Sequence, residues 1–145
     1  MKLELAGVSW LKDYGFDNIL WDTIGPVDVK VFGWGNVPLL MEFEMKRLNR
    51  TRYVTRSWLQ REVVDKFSPD AWLKILVVTK VCWHPRDDAF LDENRIKVIA
   101  VGPIDREKEI RRAKERFMNA FTQIWVNEFL KEEVVVCQRK SSASL

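Results

Sequence analysis

The stretch PLLMEFEMKR, Pro38–Arg47, decides the fold. Its composition predicts a β-strand over Pro38–Lys46, in which successive side chains point to opposite sides of the sheet. One face is apolar and carries Leu39, Met41, Phe43 and Met45; the other carries Leu40, Glu42, Glu44 and Lys46. Burying three charged groups on one face of a central strand costs free energy that folding alone does not favour. We therefore expect a functional site on the charged face.

The segments before this strand predict a helix and a hairpin. Apolar residues at helical spacing indicate a helix over Leu3–Tyr14, which ends at Gly15. Phe16–Leu20 is predicted as a short strand. Val27–Phe32 is rich in β-branched residues, and the glycines of GWGN then suit a tight turn. Val27–Phe32 and Pro38–Lys46 are therefore expected to pair as an antiparallel hairpin.

The segments after the strand complete an α/β pattern. They predict, in order, a helix over Ser57–Phe67 with Ser57 as its N-cap, a strand over Trp72–Trp83 and a polar loop over His84–Asn94. A further strand over Arg95–Ile104 and an amphipathic helix over Asp105–Glu133 follow. This order favours a mixed β-sheet flanked by helices, with a long C-terminal helix. We predict one domain over residues 1–133 and a polar tail over 134–145.

Composition limits the class of protein. The 145 residues are 47% hydrophobic and 31% charged, which is typical of one globular domain with its own core. No apolar run reaches the length of a membrane span and no signal peptide opens the chain, so we expect a soluble cytoplasmic protein without a membrane partner. Cys82 and Cys137 lack the spacing of a zinc site, and His84 is interpreted as structural rather than catalytic.

An acidic residue and an E-x-K triplet occur on the two strands of the predicted hairpin. Asp28 lies near the start of the first strand, and Glu44 and Lys46 follow on the second. Pairing of the strands can bring the two carboxylates close enough to share a divalent cation, since Mg²⁺ prefers oxygen ligands. In phosphodiester hydrolysis the metal would activate water, and the lysine would stabilise charge on the phosphate.

With this spacing the chain resembles the PD-(D/E)XK nuclease superfamily, and most closely the archaeal Holliday junction resolvases. The resemblance runs from Glu4 to about Pro103 and includes GF at Gly15 and the later segments RYVTRSWLQREVVDKF and KILVVTKV. It implies a restriction-endonuclease-like fold and a catalytic set of Glu4, Asp28, Glu44 and Lys46. It also implies Mg²⁺ or Mn²⁺ held by Asp28, Glu44 and Glu4, and a homodimeric endonuclease that cuts branched DNA.

A basic segment follows the E-x-K triplet. Lys46–Lys66 contains seven basic residues and two acidic ones, interleaved with aromatic residues, which suits a surface that contacts phosphates. The residues predicted to bind nucleic acid are Arg47, Arg50, Arg52, Tyr53, Arg56 and Arg61. The alternative is a solvated basic helix without a partner.

Two further functions stay open at this point. The chain could be a nuclease of the same superfamily that cuts duplex or single-stranded DNA, or a nucleic-acid-binding protein that keeps the scaffold without catalysis. Glu42 shares the strand face with Glu44 and is predicted to lie behind the site or to be exposed. Gln60 on the predicted second helix is interpreted as a surface residue rather than part of the site.

Overall fold

The computed structural model describes residues 2–21, 25–34, 37–49 and 51–143. It contains five strands: β1 (Ile19–Trp21), β2 (Val29–Trp34), β3 (Val37–Lys46), β4 (Leu73–Val78) and β5 (Ile96–Ala100). It contains four α-helices: α1 (Leu3–Tyr14), α2 (Arg56–Glu62), α3 (Arg86–Glu93) and α4 (Glu107–Ala143), with a 3₁₀ turn at Val64–Lys66 after α2. No helix within these described ranges combines the length and the hydropathy needed to cross a membrane.

The strands form one mixed sheet in the order β1-β2-β3-β4-β5. The first three are antiparallel, and β3, β4 and β5 are parallel to one another. The hairpin of β2 and β3 is therefore confirmed, with Val31 opposite Met41. β3 lies at the centre of the sheet, so both of its edges are hydrogen-bonded and both of its faces are covered.

Two apolar layers cover the two faces. On one face, α1 and α4 pack over the odd-numbered side chains of β3, and Met41, Phe43 and Met45 are buried there with Phe117 and Phe121. On the other face, α2, the 3₁₀ turn and α3 pack over the even-numbered side of β4, in a cluster that includes Leu59, Val63, Leu76, Val78 and Leu91. The predicted α/β class, a mixed sheet flanked by helices with a long C-terminal helix, is confirmed.

The predicted polar loop over His84–Asn94 is wrong, because most of it forms α3. Pro85 precedes the helix with a helical φ of −52°. Asp87 and Asp88 lie in the first turn, where the helix dipole stabilises a negative charge. Leu91 is then buried against the sheet. The polar composition concealed a helix whose stability comes from a few tertiary contacts.

The boundaries of several other elements differ from the predictions: α2 ends at Glu62 rather than Phe67, and β4 and β5 are shorter than the predicted strands. The first strand is Ile19–Trp21, and Phe16 is instead a buried core residue. Thr55, rather than Ser57, caps α2, since its Oγ1 accepts a hydrogen bond from the Trp58 N–H at 3.1 Å. The final helix continues beyond its predicted end to Ala143, because no glycine or proline interrupts it.

Candidate active site at the centre of the sheet

The central strand buries two glutamates on the same face. Glu42 and Glu44 are 0% and 1% exposed, and Glu44 lies beside Leu76 of β4 in the parallel register. The same register places Lys46 beside Val78. The charged residues of β3 therefore share the face that α2 and α3 cover, as the alternation predicted. A carboxylate in such a place needs a compensating partner.

Asp28 and Glu44 are connected through reciprocal hydrogen bonds across β2 and β3. The Asp28 N–H donates to Glu44 Oε1 at 3.2 Å, and the Met45 N–H donates to Asp28 Oδ2 at 2.8 Å. The backbone of each strand thus orients the carboxylate carried by the other. Asp28 precedes β2, so it is not committed to ladder pairing and its backbone N–H can take this role.

This arrangement raises the pKa of Glu44 from 4.5 to about 9. Burial is the largest cause, followed by a hydrogen bond with the Asp28 side chain and by the repulsion of its charge. Lys46 acts in the opposite direction, because its positive charge favours the carboxylate. Two acids with one strongly raised pKa are typical of a functional carboxylate pair.

Lys46 lies at the end of β3, between Glu44 and helix α2. Its side chain is partly exposed, and Nζ lies 4.0 Å from Oε2 of Glu62, the last residue of α2. Glu62 also pairs with Arg61 at 3.1 Å, and this hydrogen bond is the main cause of its lowered pKa. The sequence analysis did not identify Glu62, because only the packing of α2 against the sheet brings it to Lys46.

Thr79 holds the backbone just after Lys46. Its Oγ1 donates to the Leu48 carbonyl and accepts from the Leu48 N–H, both at 2.9 Å, and the Thr79 N–H donates to the Lys46 carbonyl. The segments that leave β3 and β4 are thereby joined. This second residue was also missed, since a threonine after a strand has no distinctive pattern.

The carboxylate pair fits a divalent cation in its donor chemistry. Glu44 Oε2 is buried and has no hydrogen-bond partner among the described residues. The carboxyl group to which it belongs interacts with the side chain of Asp28. A cation would satisfy this oxygen and remove the repulsion between the two groups. Mg²⁺ is commonly held by one or two carboxylates together with substrate phosphates, so two protein ligands are sufficient.

Glu4 was predicted as a third ligand. It lies in the first turn of α1, on the helix that packs over the opposite face of the sheet, and is partly buried. Across the parts of the chain that the structure describes, no three His, Cys, Asp or Glu side chains gather closely enough to hold one metal ion. The participation of Glu4 therefore stays a prediction.

Glu42 belongs to a separate environment on β3. Its Oε1 accepts from the Ser68 N–H at 2.6 Å. Its Oε2, like that of Glu44, has no hydrogen-bond partner among the described residues, but it lies 3.6 Å from Lys30 Nζ. It is fully buried, so the expectation that it could be exposed is wrong, and its contacts join the sheet to the loop after α2. Gln60 is exposed and donates to Asp65 at 2.6 Å, as expected of a surface residue.

The basic segment is exposed, but several of its arginines have partners within the protein. Arg47 pairs with Asp105, and Arg56 pairs with Asp87 at 2.9 Å. Arg61 pairs with Glu62, whereas Arg52 and Tyr53 are exposed on the loop before α2. Arg50 lies outside the described residues. Nucleic-acid binding by this set stays a prediction, and the ion pairs would have to exchange for phosphate contacts at Arg47, Arg56 and Arg61.

Comparisons with known proteins give one similar solved structure. It is the MspJI restriction endonuclease in complex with a 27-mer oligonucleotide, with 16% sequence identity and a TM-score of 0.47. The similarity covers 79% of this chain and 27% of that chain, so the chain spans about a quarter of the length of the matched protein. No family model and no curated protein matches the sequence.

Proposed function

We propose that this chain is a divalent-metal-dependent nuclease that hydrolyses phosphodiester bonds in DNA. The observation that carries the proposal is the buried pair of Asp28 and Glu44, with an orphaned Glu44 oxygen and Lys46 beside it. A scaffold that only bound DNA would have no need of two carboxylates in contact, since they repel phosphate. Their cost is offset when a cation occupies the site.

Each residue then has a defined role. Asp28 and Glu44 would hold Mg²⁺ or Mn²⁺, and the cation would supply Lewis-acid chemistry and charge neutralisation at the phosphate. Lys46 Nζ would place a positive charge where negative charge develops on the scissile phosphate. Glu62 positions Lys46 through the 4.0 Å ion pair. Exposed cations such as Arg52 would bind the flanking phosphates.

The finer proposal concerns the substrate. The resemblance to Holliday junction resolvases favours branched DNA, and a two-fold homodimer would place two such sites against strands of opposite polarity. This part rests on the sequence resemblance, whereas the nuclease chemistry rests on the carboxylate pair.

The test is a cleavage assay on four-way junction, flap, duplex and single-stranded DNA in parallel, with Mg²⁺, Mn²⁺ or EDTA. We expect metal-dependent cleavage that falls by orders of magnitude in Asp28→Asn, Glu44→Gln and Lys46→Ala. The matched control is Glu42→Gln, which neutralises a buried glutamate on the same face of the same strand and should leave cleavage intact.

Binding measured in EDTA separates catalysis from folding. Asp28→Asn should keep or increase the affinity for DNA, because it removes a charge that repels phosphate. Glu44→Gln should change this affinity little, because the raised pKa already keeps Glu44 protonated without a metal. Lys46→Ala should weaken binding slightly. A wild-type protein that binds DNA and cuts none of the four substrates with either metal would refute the nuclease proposal and favour the non-catalytic scaffold.

A further inference from the structure

An open pocket lies at the amino-terminal end of α2, at the opposite end of this helix from Glu62 and Lys46. It has a volume of about 500 Å³, and its lining includes Tyr53, Arg56, His84 and Arg86. This volume is in the range of small-ligand sites, about 300–1,000 Å³. The segment before α2 is joined to the segment before α3 by a hydrogen bond, in which the Val54 N–H donates to the Cys82 carbonyl at 2.7 Å.

One side of the pocket is aromatic and exposed. The Tyr53 side chain is 62% exposed, although an aromatic ring of this size is usually better covered. It meets His84 edge to face, with ring centroids 5.7 Å apart and an interplanar angle of 88°. His84 Nδ1 accepts from the Arg86 N–H at 3.1 Å, which orients the imidazole ring. Tyr53 is therefore a supported stacking surface.

The other side of the pocket carries more positive than negative charge, because its lining includes two arginines, Arg56 and Arg86, and one acid, Asp87. Asp87 is buried and accepts from Arg56 Nε at 2.9 Å, and Asp88 accepts from Trp83 Nε1 at 2.8 Å. Arg86 is exposed and has no ion-pair partner in the described part of the chain. An exposed arginine beside an exposed aromatic ring matches the two requirements of a nucleotide, a phosphate contact and a base-stacking contact.

We propose that this pocket, which we call the Tyr53–Arg86 pocket, binds one unstacked nucleotide of the DNA strand, with the base on Tyr53 and a phosphate on Arg86. The inference rests on the proposed function, since it places the nucleotide on the strand that the Glu44 site cuts. Arg56 and Glu62 are six residues apart on α2, or about 9 Å along the helix axis at 1.5 Å per residue. That length corresponds to at most two to three nucleotides, since each nucleotide spans about 3.4 Å in a stacked B-form strand and more when it is unstacked.

Affinity in EDTA tests the pocket without any cleavage. With a fluorescently labelled single-stranded oligonucleotide, Tyr53→Ala should raise the Kd about 5- to 100-fold, the usual effect of losing one stacked base. Tyr53→Phe keeps the ring and should remain near wild type. Arg86→Gln should raise the Kd and reduce its salt dependence by about one phosphate. Arg111→Gln, at an exposed arginine on α4 over the other face of the sheet, is the matched control.

Position is tested with a series of oligonucleotides that each lack one base. We expect the abasic site to weaken wild-type binding most when it lies one to three nucleotides from the mapped cut. At that position the loss of affinity caused by the abasic site should not add to the loss caused by Tyr53→Ala, because both changes remove the same contact. If the two losses of affinity add fully at every position of the abasic site, the inference is overturned. Equal affinity for a free deoxynucleotide monophosphate and for the oligonucleotide would also overturn it.

The results also separate this inference from the proposed function. If cleavage depends on Glu44 and metal but Tyr53→Ala and Arg86→Gln change neither affinity nor cut position, the pocket is not a nucleotide site and the nuclease proposal stands. If these two changes weaken binding and no substrate is cut, the pocket binds nucleic acid and the nuclease proposal fails.

Discussion

Replacing Glu44 by glutamine should stabilise the metal-free protein at neutral pH while it removes the capacity to bind the metal. In the folded protein the pKa of Glu44 is about 9, against 4.5 as its ordinary value. At pH 7 the side chain is therefore protonated when folded and ionised when unfolded. Folding takes up one proton, and the free energy of unfolding is lowered accordingly.

The size of this effect follows from the shift. Each pH unit between the two pKa values corresponds to about 1.4 kcal/mol, so the interval from 4.5 to 7 amounts to about 3.5 kcal/mol as an upper value. The sign is fixed by the proton balance: the stabilising contribution of the neutral acid is complete below pH 4.5 and is lost as the pH rises to 9. Glutamine is neutral throughout and can still accept the hydrogen bond from the Asp28 N–H.

The assay is urea unfolding in EDTA at pH 5, 7 and 8.5 for the wild type and Glu44→Gln. We expect the free energy of unfolding of the wild type to fall as the pH rises, relative to that of the variant, with the variant up to about 3.5 kcal/mol more stable at pH 7. Adding Mg²⁺ should then stabilise the wild type more than the variant, increasingly so at higher pH, since the cation displaces the proton.

Glu42→Gln is again the control, because Glu42 is equally buried but has Lys30 as a partner. Equal stability of the wild type and Glu44→Gln, with the same pH dependence from 5 to 8.5, would contradict the argument. It would mean that Glu44 is ionised in the folded protein without a metal, and that Asp28 and Glu44 do not form a strained pair.

Two further predictions concern residues that position the site. Glu62→Gln should lower the single-turnover cleavage rate, because Lys46 loses its charged partner, and should strengthen DNA binding by removing a negative charge; an unchanged rate would exclude a positioning role. Thr79→Val should reduce the free energy of unfolding by about 1–3 kcal/mol, because the buried N–H and carbonyl of Leu48 both lose their partner. Urea unfolding measures this loss, and a difference below about 0.5 kcal/mol would show that water replaces the hydroxyl.

The sequence by itself determined the hairpin and the face on which the charges lie. Alternation along Pro38–Lys46 and the turn glycines before it are local features, so the antiparallel pairing and the approach of Asp28 to Glu44 follow from strand geometry. The long final helix was predictable for the same reason, since its apolar spacing repeats over many turns.

Only the tertiary structure decided how the site is buried and what surrounds it. The raised pKa of Glu44 depends on layers contributed by α2 and α3, and the Lys46–Glu62 pair joins residues that no sequence period connects. The Tyr53–Arg86 pocket likewise depends on α3, a helix hidden in a polar segment. Local patterns specify which side chains share a face, whereas burial and charge pairing depend on contacts between segments that are distant in the chain.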